Sequence, residues 1–175
     1  MRKKFAVDLD DKASALLRKH DLYSPPANVA ALAEALGASV VFEELEDDVS
    51  GFLLRENGDV TIAINSKHHP NRQRFSLAHE CGHLVLHAKK DGLWVDKALF
   101  FRDANSKAGE SFHEIQANQF AAGLLMPEAL VREAVEELNP ITEADVLRLA
   151  VRFGVSEKAM MVRLMSLELI GTAVA

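Results

Sequence analysis

The sequence holds a single cysteine, Cys81, which excludes an internal disulfide framework and any multi-cysteine zinc ribbon. A metal in this chain must therefore be held by histidine and carboxylate. No apolar run approaches the ~20 residues of a membrane span, and Met1-Arg2-Lys3-Lys4 leads into Phe5-Ala6-Val7-Asp8, not into the apolar core of a signal peptide. The expected location is the cytoplasm. Basic residues are outnumbered, 20 Lys and Arg against 26 Asp and Glu, so at a net charge of −6 a general electrostatic hold on nucleic acid is not expected. Repeats, low-complexity tracts and long linkers are missing too. What is present is a 175-residue chain that is 49% hydrophobic, enough apolar material for one compact domain with a small appendage and too much for disorder.

The punctuation of the chain predicts short elements. Residues 10–20 form a first helix, Pro25-Pro26 breaks the chain, and residues 27–36 resume helix with Gly37 at its end. Residues 40–42 read as a strand. After the acidic turn at residues 43–48, residues 51–55 and 60–65 flank Asn57-Gly58-Asp59, and Asn-Gly supplies the positive φ angles of a tight hairpin turn. A small, mostly antiparallel sheet is expected. From 71 to 87 the pattern is helical with apolar residues on both sides, the mark of a central helix, and Leu77, Cys81, Leu84 and Val85 cover one side. A loop with Trp94 and Phe100-Phe101 leads to a helix over 110–125, closed by Met126-Pro127. Residues 128–170 read as helices broken near Asn139-Pro140 and Gly154.

His79-Glu80-Cys81-Gly82-His83 fits the H-E-x-x-H pattern. On a helix the two histidines sit about 40° apart round the axis and about 6 Å apart along it, so both imidazoles can face one ion. Glu80 is turned about 100° from His79, badly placed to ligate but well placed to reach a water on the metal, the position of a general base. A catalytic zinc also needs a third protein ligand from another element. Glu114 is the best candidate, because Glu114, Ala117, Asn118, Ala121 and Leu125 share a face of small residues that lets two helices approach closely, with Gly82 offering matching room. His113 competes but points about 100° from that stripe. His87 lies about 12 Å along the axis from His79, too far to complete the site. His20, His68 and His69 suit loops or helix ends, the last two also a cleft wall. Asn118 is suited either to fix the tautomer of a liganding histidine or to make a simple helix–helix hydrogen bond. Cys81, about 200° from His79, belongs to the core.

Three segments together resemble the ImmA/IrrE metallo-endopeptidases of bacteria and their mobile elements. They are Arg72 through His83 (RQRFSLAHECGH), Glu114 through Ala122 (EIQANQFAA) and Leu124-Leu125-Met126-Pro127. The stretch ending in Ile62-Ala63-Ile64-Asn65 is also similar, so the likeness covers about residues 26–127. It implies zinc ligands His79, His83 and Glu114, a catalytic Glu80, and an α+β fold. In that fold a small zincin-like core (residues 1–127), with a short mostly antiparallel sheet, the HExxH helix and the glutamate helix, is followed by a helical tail (residues 128–175) packed on the core. Residues 141–170 resemble the helix-turn-helix-like tail of many members. The implied substrate is a helix-turn-helix transcriptional repressor, cut once to switch on stress-response or mobile-element genes.

The competing reading is a DNA- or repressor-binding module, or a toxin-antitoxin component, in which the metal is structural. In residues 141–170, Arg148, Arg152, Lys158 and Arg163 are balanced by Glu143, Asp145, Glu157 and Glu168, a poor pattern for phosphate contact. The apolar residues Met160-Met161-Val162 and Leu164-Met165 suit either partner contact or burial against the core.

Overall fold

A computed structural model describes residues 2–88, 90–97 and 108–171, with side chains for 8–88, 90–95 and 112–171. Helix α1 (Arg2–Lys19) is followed by α2 (Val29–Ala35), strands β1 (Ala38–Glu43), β2 (Val49–Glu56) and β3 (Asp59–Asn65), α3 (Pro70–Leu86) and β4 (Gly92–Lys97). Then come α4 (Ala108–Leu125), α5 (Glu128–Val135), α6 (Glu143–Phe153) and α7 (Glu157–Ser166). The fold is α+β, and α1 begins near the start of the chain, ahead of the predicted residue 10. Phe100 and Phe101, expected in a loop, lie outside the described residues.

The Asn57-Gly58 pair turns the β2–β3 hairpin with φ of 51° and 92°, the two positive angles a two-residue turn needs. The strands form one sheet in the order β1-β3-β2-β4, with β1 parallel to β3 and the other two pairings antiparallel. Val40, Ile62, Leu53 and Trp94 thus align across all four strands. Ile62 and Leu53 are fully buried, and Val40 and Trp94 pack against the same core. Each such aliphatic side chain contributes roughly 1.5–3 kcal/mol when withdrawn from water.

One expectation is corrected here. Trp94 lies in β4, not in a loop: its three-residue apolar stretch is too short to show strand periodicity, and only pairing with β2 makes it a strand. Strand β3 is interior, because β1 pairs along its far side, and among the described strands the edges are β1 and β4. The parallel pairing requires the chain to cross the end of β3 between β1 and β2, and buried Asn65 holds that crossing. Its amide nitrogen donates to the carbonyls of Glu46 (3.0 Å) and Val49 (2.8 Å), and its oxygen accepts from the Leu45 and Lys67 amides.

Helix α3 starts at N-cap His69, whose ring nitrogen accepts from the Asn71 amide, with Pro70 in the first turn where its missing N–H costs nothing. Every residue from Ser76 to Leu84 is buried, so this helix is central. Helix α1 lies so close to α4 that a Cβ on Gly123 would come within 3.2 Å of Ala13 and Asp10.

The last three helices are fastened to the rest by polar groups. Gly154 closes α6 in the left-handed conformation (φ 64°), and Arg74 of α3 donates to its carbonyl and to that of Ala27, both at 3.0 Å. Asn71 donates to the Val155 carbonyl. Arg163 of α7 is buried, pairs with Asp10 of α1 and donates to the Met126 carbonyl at the end of α4. Val146, Leu149, Phe153, Met160 and Leu164 belong to the same apolar cluster as Leu17 and Leu32.

Candidate metal centre

The two turns of α3 that carry His79 and His83 are buried on all sides, and α4 closes over them. The close approach comes from small residues. A Cβ added to Gly82 would stand 3.1 Å from both the Cα and the carbonyl oxygen of Ala117, so the two helices meet backbone to backbone. That contact brings Glu114, nearly one turn before Ala117, onto the histidines. Nε2 of His79 lies 2.9 Å from Nε2 of His83, and the Glu114 carboxylate oxygens lie 3.1 and 3.2 Å from these two nitrogens.

Two imidazole nitrogens and a carboxylate converging on one point form a site for a cation. Nδ1 of His79 lies 2.9 Å from Oδ1 of Asn118 and donates its hydrogen there, which leaves the Nε2 lone pair turned inward. Burial by itself raises the Glu114 pKa, but the facing His79 and His83 rings, which donate to it and attract it when protonated, outweigh burial and hold the carboxyl at about 2, so it is an anion. Ligand atoms about 2 Å from a tetrahedral ion stand roughly 3.3 Å apart, close to the spacings found, so these residues fit a divalent metal. Among the described residues this is the one group of three such ligands whose atoms all lie within 4.8 Å of one another.

Glu80 follows His79 on α3 and is wholly buried. A carboxylate is costly to place inside a protein, and one set beside a ligand cluster is a candidate for chemistry. Cys81 is buried as well; burial, reinforced by the Glu80 charge, pushes its thiol up to about 12, which rules it out as a nucleophile.

The other histidines are not in the cluster. His69 caps α3 and His68 faces the Asp47 carbonyl at 3.4 Å, about 15 Å along the helix from His79. His113 is exposed and stacks on His87, with ring centres 4.2 Å apart. His87 follows α3, and burial, then the nearby His113 and His83, push it down to about 4. Its ring reaches His83, a contact signalled by the four-residue spacing alone. Tyr23, the only tyrosine, is covered by the Arg18 guanidinium at 3.6 Å.

Residues 33–165 match the family described as peptidase M78, the IrrE N-terminal-like domain. The chain belongs to this family. The radiation response metalloprotease IrrE of Deinococcus radiodurans is 40% identical over 84 residues, 47% of this chain and 24% of that protein. The uncharacterized immunity region protein 2 of Bacillus phage phi105 is 28% identical over 108 residues, 61% of this chain and 63% of that one. The chain thus spans less than two thirds of either relative. A solved Mycobacterium tuberculosis transcriptional regulator shares the fold, with a TM-score of 0.67 at 22% identity over 93% of this chain and 48% of its own.

The Gly82–Ala117 contact makes a prediction. Gly82→Val forces α3 and α4 apart at a cost of about 1–3 kcal/mol and moves Glu114 off the histidines. Metal affinity, measured by chelator competition, should fall by roughly tenfold or more, since tenfold corresponds to about 1.4 kcal/mol. Unchanged affinity would mean that helix approach does not set the cluster.

Proposed function

We propose that this chain is a zinc-dependent endopeptidase that cuts a partner protein, a helix-turn-helix transcriptional repressor, in the cytoplasm, and so switches on stress-response or mobile-element genes. The observation that carries this reading is the convergence of His79, His83 and Glu114 beside buried Glu80 in a chain of a peptidase family. The names of the two relatives, a radiation-response metalloprotease and a phage immunity-region protein, support the regulatory setting. Among the described residues no helix is long and apolar enough to cross a membrane.

Zinc suits two imidazoles and a carboxylate, and once bound it would polarise the scissile carbonyl and lower the pKa of the attacking water towards about 7. His79, His83 and Glu114 hold the metal. Glu80 takes the proton from the attacking water and delivers it to the leaving amine nitrogen. An extended substrate aligns by adding a strand to a free sheet edge. Of the two edges we assign β4, which begins just beyond the end of α3 and runs back along it until Lys97 pairs with Val49, one residue from the Ser50 hydroxyl that Arg72 reaches.

Selectivity draws on the tail. Arg148, though exposed, is paired with Asp145, and Arg163 is buried against Asp10, which leaves Arg152 and Lys158 as the exposed cations of residues 141–170 outside an ion pair, too few to grip DNA. Leu147, Val151, Val162 and Met165 are exposed there, while Met160 and Leu164 are buried in the core. We assign the exposed set to the partner. The test compares cleavage of the full-length repressor encoded by the neighbouring gene, a short peptide spanning its scissile bond, and casein. Wild type should cut the full-length partner best and casein hardly at all, and changes at Arg152 and Lys158 should narrow the difference. Equal cleavage of peptide and partner by both proteins would remove the tail from recognition. A DNA gel shift without cleavage, in zinc-loaded protein, would favour a binding module instead.

A further inference from the structure

A metal held by Nε2 of a neutral imidazole leaves the ring hydrogen on Nδ1, and that N–H needs an acceptor to fix the tautomer and the rotation of the ring. For His79 the acceptor is Asn118. Nδ1 of His83 is buried and meets no hydrogen-bond partner among the described residues. One turn further on stands His87, whose ring centre is 5.5 Å from that of His83, with the planes inclined at 58°. A single N–H···N bond of about 3 Å places two imidazole centres about 5 Å apart, so these rings stand almost at bonding distance. Nε2 of His87 is itself buried and has no hydrogen-bond partner among the described residues.

The ring of His87 is stacked on that of His113, with centres 4.2 Å apart, and its Nε2 has no partner among the described residues. A neutral imidazole that accepts at Nε2 carries its hydrogen on Nδ1. His83 therefore offers a buried donor and His87 a buried acceptor, on adjacent rings, four residues apart on one helix face.

We propose that His87 is a positioning residue that accepts the Nδ1 hydrogen of His83 and so aims Nε2 of His83 at the metal. This rests on the reading of His79, His83 and Glu114 as metal ligands. Its consequence is a network that links all three. Asn118 of α4 sets His79, His87 sets His83, and His87 is itself held through stacking by His113, the residue before Glu114. Helix α4 thus supplies one ligand and orients the other two.

The test uses the full chain, with zinc affinity measured by chelator competition. His87→Leu fills the space but accepts nothing, and its affinity should fall roughly 10–100-fold, the usual effect of losing a ligand's orienting partner. His87→Gln keeps an acceptor oxygen and should stay within a few-fold of wild type. His113→Phe preserves the stack and should also stay near wild type. Long-range proton–nitrogen correlation spectra of zinc-loaded wild type should show His83 as the Nδ1–H tautomer, with that hydrogen slow to exchange, and His87 also as Nδ1–H. The proposal is overturned if His87→Leu binds zinc as tightly as wild type, if His87→Gln loses as much as His87→Leu, or if His87 carries its hydrogen on Nε2. Should His87→Leu fail to fold, the glutamine variant and the wild-type spectra decide. Wild type that binds no zinc would instead bring down the ligand assignment itself.

Discussion

Glu80→Gln is expected to bind zinc as wild type does and to lose cleavage by a factor of 10² to 10⁴ or more, in keeping with the usual contribution of a general base of ~10²–10⁴. Glutamine has almost the shape of glutamate, so the buried site beside His79 accommodates it without a cavity. It lies outside the converging ligand set, so no metal bond is lost. What disappears is proton affinity: an amide oxygen cannot hold the proton taken from water long enough to pass it to the amine. Glu80→Asp separates chemistry from charge. It keeps the carboxylate but retracts it by one methylene, and should retain partial activity. The measurement is cleavage of the partner repressor alongside zinc content in the same preparation. Full zinc with undiminished cleavage in Glu80→Gln would assign the base to another group, and loss of zinc would recast Glu80 as part of the metal-holding structure.

Much of the centre was readable from local periodicity, because its parts recur at helical spacing. The four-residue step of His79 and His83, and the stripe of Glu114, Ala117, Asn118 and Ala121, are properties of single helices. So is the room at Gly82, which the structure fills with the Ala117 backbone. The Asn57-Gly58 turn is equally local. What escaped the reading is set by partners distant in sequence. β4 is a strand because β2 lies beside it, and β1 pairs with β3 in parallel because the buried amide of Asn65 ties down the crossing loop. Arg163 reads in sequence as one of four tail cations, yet it meets Asp10, 153 residues away, in the core. For His87 the contact with His83 was legible in the four-residue step, but the contact with His113 was not. Distance along the axis excludes it from the metal, whereas its acceptor role depends on α4 bringing His113 against it.

The choice between Glu114 and His113 as third ligand gives the second large effect. Both are adjacent on α4, both have ligand chemistry, and a helix turns them about 100° apart, so only one can face α3's histidine pair. In the structure Glu114 has its two oxygens at 3.1 and 3.2 Å from the histidine nitrogens, while His113 stacks outside on His87. Glu114→Ala should therefore lower zinc affinity by more than the roughly 10–100-fold that an orienting partner controls, and should abolish cleavage. His79→Ala and His83→Ala should do the same. Glu114→Gln sharpens the test, since an amide keeps the size and one oxygen but not the charge, and two neutral imidazoles with a neutral amide hold a dication less tightly than a set containing an anion. It should fall between wild type and Glu114→Ala. His113→Ala keeps all three ligands and loses only the stack beneath His87, so its zinc content at stoichiometric loading should match wild type. Each variant is to be assayed for bound metal after dialysis against a weak chelator, with circular dichroism to establish that α3 and α4 remain helical. Full zinc in Glu114→Ala together with loss in His113→Ala would reverse the assignment and require α4 to sit rotated by about a quarter turn from the packing that Gly82 and Ala117 impose.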